Sequence, residues 1–263
     1  VPDRRVHEAL ADQIAAIAAE AGAFAFAKWR TDFKRWEKAP GNPVCEVDLE
    51  VNVLIRQRLE ALLPDAGWLS EETVDNHDRL ACDRLWVVDP IDGTRDYIRG
   101  RAGWAVSIAL IEQGQPVIGV LDAPAREEVW RAEAGKGATL NGVAIHAGTR
   151  TDFPGSRVPT DTLPKVDSDL VAVDKPNSIA LRIAMVAADQ ADLVATLRWG
   201  NEWDVAAAVL IAAEAGATVS DALGQKLKFN TPSAQAFGVL ATTPGIHAAA
   251  VERLGERARA LSK

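Results

Sequence analysis

Val6, Leu10, Ile14, Ile17, Ala21 and Phe24 recur at helical spacing, which predicts one long amphipathic helix from residue 5 to about residue 30. The polar run Lys34 to Pro43 carries Pro40-Gly41-Asn42-Pro43 and reads as a loop. Behind Asp48, the residues Leu49, Val53, Ile55, Leu59 and Leu62 predict a second helix that ends before Pro64, with Asp48 in the N-cap position. Leu85 to Val88 is a short apolar, largely β-branched run suited to a buried strand, which Pro90 is expected to end. Trp104–Glu112 and Pro116–Ala123 flank Gln113-Gly114-Gln115 and read as a hairpin, and Val129–Ala132 as a further strand before tight turns at Gly135–Ala138 and Asn141-Gly142.

Residues 147 to 168 are poor in apolar side chains and rich in Pro, Asp and Thr, the composition of a loop or of a joint between halves. Beyond it, Leu170–Val173 and Asp192–Leu197 read as strands, with Ser178–Ala188 as a helix between them. The alanine-rich stretch Val205–Ala215 reads as a helix with Asp204 at its cap. Thr218–Ser220 and Phe237–Ala241 read as strands, and a closing helix starts near Pro244. The grouping gives an α+β half over residues 1–150 and an α/β half over residues 151–263, in layers of helix and sheet.

A chain of 263 residues with 48% hydrophobic and 25% charged residues is ordinary for a globular protein with a substantial core. The formal charge of −8 argues against nucleic-acid binding as the main function, and it leaves any anionic ligand to be drawn by local cations. Cys45 and Cys82 are too few for a disulfide framework and lack zinc spacing, so two reduced thiols and a cytoplasmic setting are expected. No apolar run near the ~18 residues of a membrane span stands out, and no signal pattern leads the chain.

The chemistry concentrates in Trp86-Val87-Val88-Asp89-Pro90-Ile91-Asp92-Gly93-Thr94. Two carboxylates at a strand end, with nearby amide and hydroxyl donors and a glycine that lets the backbone approach a ligand, suit a hard divalent cation holding a phosphate. Two more acidic elements stand at element boundaries: Glu71-Glu72 after Gly67–Ser70, and Asp204 in Asn201-Glu202-Trp203-Asp204. His7, His77, His146 and His247 are scattered outside these motifs, and no G-x-S-x-G elbow occurs.

In this order and spacing, Asp48, Glu71-Glu72, Asp89-Pro90-Ile91-Asp92-Gly93-Thr94 and Trp203-Asp204 before Ala215-Gly216-Ala217 resemble the motifs of the inositol monophosphatase superfamily, lithium-sensitive and magnesium-dependent phosphatases. The one departure is Ala217, where a second glycine is usual. The resemblance implies a stacked α-β-α-β-α sandwich and a phosphomonoesterase that uses water directly, with two Mg2+ ions and a weaker third. It implies Glu71, Asp89 and the Ile91 carbonyl as ligands of the first ion, and Asp89, Asp92 and Asp204 as ligands of the second. Glu71 and Thr94 would orient and deprotonate the attacking water, Asp48 would hold Thr94, and the Gly93 and Thr94 amides would cradle phosphate oxygens.

On the alcohol side, Lys175, Arg182 and Arg198 are candidate cations for a second phosphate. The wording around Pro43–Asp48, Trp68–Glu72 and Asn201–Asp204 is most similar to the 3'(2'),5'-bisphosphate nucleotidase branch, whose substrate is adenosine 3',5'-bisphosphate. Asn177-Ser178-Ile179-Ala180 departs from that branch, where small Gly-Ser residues are usual, and inositol 1-phosphate, histidinol phosphate or a sugar phosphate are the other substrates weighed. The expected partner is a small phosphate ester, with no nucleic acid or membrane and with a homodimer compatible; a non-catalytic role with RNA or transcription partners is the competing class.

Overall fold

The computed structural model describes residues 4–262, and the side chains of residues 4–8, Val6 and His7 included, lie outside that description. In chain order the elements are α1 Arg4–Lys28, β1 Arg35–Ala39, β2 Asn42–Cys45, α2 Glu46–Leu62, β3 Gly67–Ser70, β4 Arg84–Asp92, α3 Thr94–Ile98, β5 Ala105–Glu112, β6 Gln115–Ala123, β7 Glu128–Glu133, β8 Ala138–Leu140 and β9 Val143–Ile145. They continue with β10 Arg157–Pro159, β11 Val171–Val173, α4 Ile179–Ala187, β12 Leu193–Asn201, α5 Glu202–Glu214, β13 Thr218–Ser220, β14 Gln235–Thr242 and α6 His247–Leu261.

Five layers result. A seven-stranded sheet runs in plain chain order from β3 to β9, with only β3 and β4 parallel. On one face lie α1 and α2, whose Leu10, Ile14, Val51, Ile55 and Leu59 pack with Trp86, Ile108 and Val120 in one apolar cluster. The other face meets α4 and α5, and beyond these helices lies a three-stranded sheet in the order β12-β14-β13. The outer layer is α6, which packs Ala250 and Leu254 on Leu193 and Leu240 of that second sheet. The expected α-β-α-β-α sandwich is therefore the observed one. Ala206, Ala207, Ala208 and Ala212 of α5 are all buried, because this helix is covered from both sides and only small side chains fit.

Several local expectations need correction. Residues 34–43 are not a plain loop: β1 and β2 form an antiparallel hairpin around Pro40-Gly41. Every residue of β1 is exposed, so no alternation of apolar side chains announces it. Neither Asp48 nor Asp204 is an N-cap. The caps are Cys45 and Asn201, and each aspartate sits at the third helical position and accepts its cap residue's backbone N–H. Pro90 does not end β4, because β3 pairs only as far as Val88 and a register shift between Asp89 and Asp92 frees Pro90 from the β5 ladder too. Within residues 147–168, Arg157–Pro159 is strand β10, paired in parallel with β11. Residues Ala9–Lys28 of α1 are long and apolar enough to cross a membrane by length and composition alone, which the sequence reading understated. Here Ile14, Ala18, Ala21 and Ala25 of that helix are core residues.

Candidate active site

The carboxylates converge where the layers meet. Glu71 follows β3, Asp89 and Asp92 end β4, and Asp204 projects from the first turn of α5. One oxygen each of Glu71, Asp89 and Asp204 lie within 4.8 Å of one another, a spacing that one divalent cation can bridge. All four acids line a cavity of about 560 Å³ together with Ile91, Gly93, Thr94, Arg182 and Arg198. Asp92 faces that cavity with its Oδ2 already engaged by the Ser178 hydroxyl and by the Ala180 N–H at 2.8 Å. None of His77, His146 and His247 lines the cavity.

Local chemistry explains each placement. Asp89 turns back through its Oδ1, which accepts the Ile91 N–H at 3.0 Å. Gly93 caps α3 at φ 98°, and a side chain there would strike the Gly103 carbonyl at 2.6 Å. The Thr94 hydroxyl reaches Asp48 Oδ1 at 3.1 Å and the Ile91 carbonyl at 3.0 Å. Asp48 Oδ2 accepts from the Cys45 N–H and the Cys45 thiol, each at 2.8 Å.

Burial pushes these acids toward their neutral forms. Asp204 is raised to about 8, first by desolvation and then by Asp92 and Glu71 nearby. Desolvation likewise lifts Asp48 and Asp92 to about 6. Asp89 is raised well above the usual range, by burial and then by Glu71 and Asp92. Such crowding is unfavourable unless cations answer it, and the donors are oxygens of the hard type that magnesium prefers. The residues present therefore fit a divalent-cation site.

Two participants, Lys38 and Ser178, are not apparent from the sequence alone. Lys38, on β1, places its ammonium 2.8 Å from Glu71 Oε1 and 2.8 Å from Glu72 Oε1, so the hairpin carries a cation to the rim. Ser178 caps α4 through the Leu181 N–H at 2.9 Å while donating to Asp92, and a serine before an apolar helical run was the available signal. Glu202 is fully buried and accepts the Asn230 N–H at 2.7 Å and the Thr231 N–H at 2.9 Å, which ties the loop before β14 to the start of α5. The Arg182 guanidinium donates to the carbonyls of Pro176, at 2.9 Å, and Asn177, so it braces the cavity wall. Lys175 pairs with Asp161. Arg198 is exposed and has no hydrogen-bond or ion-pair partner among the described residues.

The model of the inositol monophosphatase family matches residues 7–262. The chain belongs to that family. It is 34% identical over 200 residues to the 3'(2'),5'-bisphosphate nucleotidase CysQ of Escherichia coli, covering 73% of this chain and 81% of that one. It is 32% identical over 196 residues to a fructose-1,6-bisphosphatase/inositol-1-monophosphatase of Thermotoga maritima, covering 70% of this chain and 73% of the relative. The solved structure of the Thermotoga maritima IMPase TM1415 superposes with a TM-score of 0.81 at 28% identity, over 94% of this chain and 96% of that one. With its family and its phosphatase relatives, the protein is a phosphoric monoester hydrolase.

Proposed function

We propose that the protein is a magnesium-dependent phosphomonoesterase whose preferred substrate is adenosine 3',5'-bisphosphate. The observation that carries the metal-dependent reading is the convergence of Glu71, Asp89 and Asp204 within 4.8 Å at the floor of one cavity. Glu71, Asp89, Asp92, Asp204 and the Ile91 carbonyl would hold the ions. Bound divalent cations supply charge neutralisation on the phosphate and a lowered pKa for the attacking water. Thr94, held by Asp48, would orient that water, and Glu71 would accept its proton. The amides of Gly93 and Thr94 would be donors to the phosphate oxygens.

The nucleotide reading is supported by the CysQ relative and by Arg198, a cation at the cavity wall with no hydrogen-bond or ion-pair partner among the described residues. Inositol 1-phosphate, histidinol phosphate and fructose 1,6-bisphosphate are the competitors. Comparing kcat/KM over these four substrates, with magnesium and with chelator, tests both levels of the proposal. Activity that survives chelation overturns the metal-dependent reading. A preference for inositol 1-phosphate overturns the nucleotide reading alone.

A further inference from the structure

Trp199 is an uncommon residue to leave in solvent: it is 55% exposed, although it belongs to a strand of the inner sheet. Its position follows from a fault in the ladder. From Thr196 to Trp199 strand β12 advances three residues while β14 advances two, from Val239 to Phe237. Gly238 makes this bulge possible, with φ at 69° and a position where any side chain would meet the Thr196 carbonyl at 2.1 Å. In a regular strand Arg198 and Trp199 would point to opposite faces. Here both line the cavity that holds Glu71, Asp89 and Asp204.

The Trp199 indole is also braced. Its edge meets the Phe237 ring at 5.5 Å between centroids and 64° between planes, which holds the ring against rotation without covering its outer face. Next to it, Ile179, Val205, Ala236 and Val239 line a narrow recess that also touches Arg198 and Asp204. The alcohol side of the site thus presents a flat aromatic face, a partly apolar wall and a guanidinium with no hydrogen-bond or ion-pair partner among the described residues. Those groups match a planar heteroaromatic ring. A cyclitol has no π face to stack on the indole, although Thr196, Asn201 and Asp204 give the same recess polar atoms.

We infer that Trp199 is a specificity-determining residue, the platform on which the planar base of the leaving nucleotide stacks while the scissile phosphate lies at the carboxylate cluster. This deepens the nucleotide reading above and rests on its placement of the phosphate. Stacking on one aromatic side chain is worth roughly ten- to a hundredfold in affinity.

Two measurements test it. First, Trp199→Ala lowers the ratio of kcat/KM on adenosine 3',5'-bisphosphate to that on inositol 1-phosphate by roughly ten- to a hundredfold, and Trp199→Phe restores most of it. Second, adenosine 5'-monophosphate quenches tryptophan fluorescence in the intact protein, and the quench disappears in Trp199→Phe, which folds on the same Phe237 contact. The quench needs no turnover, so it stands even where the nucleotide proves to be a poor substrate and only the reading above fails. An unchanged ratio together with a quench that persists in Trp199→Phe overturns the inference. Equal losses on both substrates overturn it as well, and would make the indole a platform for a sugar or cyclitol face.

Discussion

Thr94 and Asp48 meet across 46 residues of sequence: the threonine hydroxyl sits 3.1 Å from Asp48 Oδ1, while the carboxylate's other oxygen accepts the backbone N–H of Cys45, the residue that caps α2. A side chain anchored at both ends leaves the hydroxyl little freedom. Thr94→Ala should therefore cut kcat by roughly ten- to a hundredfold, with KM within a few-fold, because the lost contact acts on the aligned water. Thr94→Ser should keep most of the activity. A change in KM alone would show that Thr94 serves binding instead.

The crowded carboxylates make the ion-free protein pay for its site. Above pH 8, where Asp204 is ionised, Asp204→Asn removes one buried charge and should raise the melting temperature in chelator, by about 2–4 °C for each kcal/mol of repulsion relieved. The same substitution should abolish most of the stabilisation that added magnesium confers on the unsubstituted protein. Because Asp204 is raised to about 8, its contribution to stability is present at low pH and lost as pH rises through about 8. Thermal melts in chelator between pH 5 and pH 9 would show that slope in the parent chain and a weaker one in the variant.

Arg79 is almost wholly buried and makes a bidentate pair with Asp75, donates to Asn230 Oδ1 at 2.7 Å and to the Thr231 carbonyl at 2.9 Å. It therefore joins the segment after Glu72 to the loop that Glu202 holds from the other side. Arg79→Met should destabilise the fold by about 3–5 kcal/mol, the cost of leaving buried partners unanswered. Urea unfolding would read this as a lower midpoint at unchanged slope. A shift below about 1 kcal/mol would mean that water replaces the guanidinium at no cost.

Asp122 lies far from that chemistry, on β6 against α1, with its Oδ2 buried and unpartnered and its pKa raised to about 6 by desolvation. In the unfolded chain this carboxyl titrates near 3.9. The folded protein thus holds the proton longer, and the group's stability contribution, complete below about pH 4, disappears as pH rises through about 6. The difference is on the order of 2–3 kcal/mol. Asp122→Asn should flatten this part of the pH–stability curve and should be at least as stable as the parent at pH 8. An identical slope in both proteins would assign it to other groups.

The acidic motifs and the regular hairpins were legible because their chemistry is local. Asp89 to Thr94 carries its donors and acceptors within six residues, and Gln113-Gly114 both adopt the positive φ that their hairpin turn needs. What escaped depends on distant partners. Nothing in Arg35–Ala39 marks a strand, since its neighbour is another exposed strand, and Lys38 gains meaning only when Glu71 and Glu72 come beneath it. The helix starts were misplaced by three residues because an aspartate satisfies an N-terminal amide equally well from the third helical position. Pro90 obeys its usual rule, but the neighbouring strands had already stopped asking for its N–H. Arg182 and Arg198 look alike in sequence. One is engaged by two carbonyls and the other has no hydrogen-bond or ion-pair partner among the described residues, a distinction that only tertiary contacts create.

The four buried alanines of α5 set the thickness of the middle layer, and Asp204 rides on that helix while Asp89 belongs to the sheet beneath and Glu71 directly follows one of its strands. The spacing of these carboxylates is thereby tied to a dimension of the core as well as to side chains in the cavity. A methylene added at Ala206, Ala207, Ala208 or Ala212 must push the layers apart, and a fraction of an ångström there is shared directly by the distance from Asp204 to Asp89. Selection for heat resistance by filling this core should therefore yield proteins that stay folded yet turn over poorly. Small residues in α5 act as the gauge against which the two sheets are set.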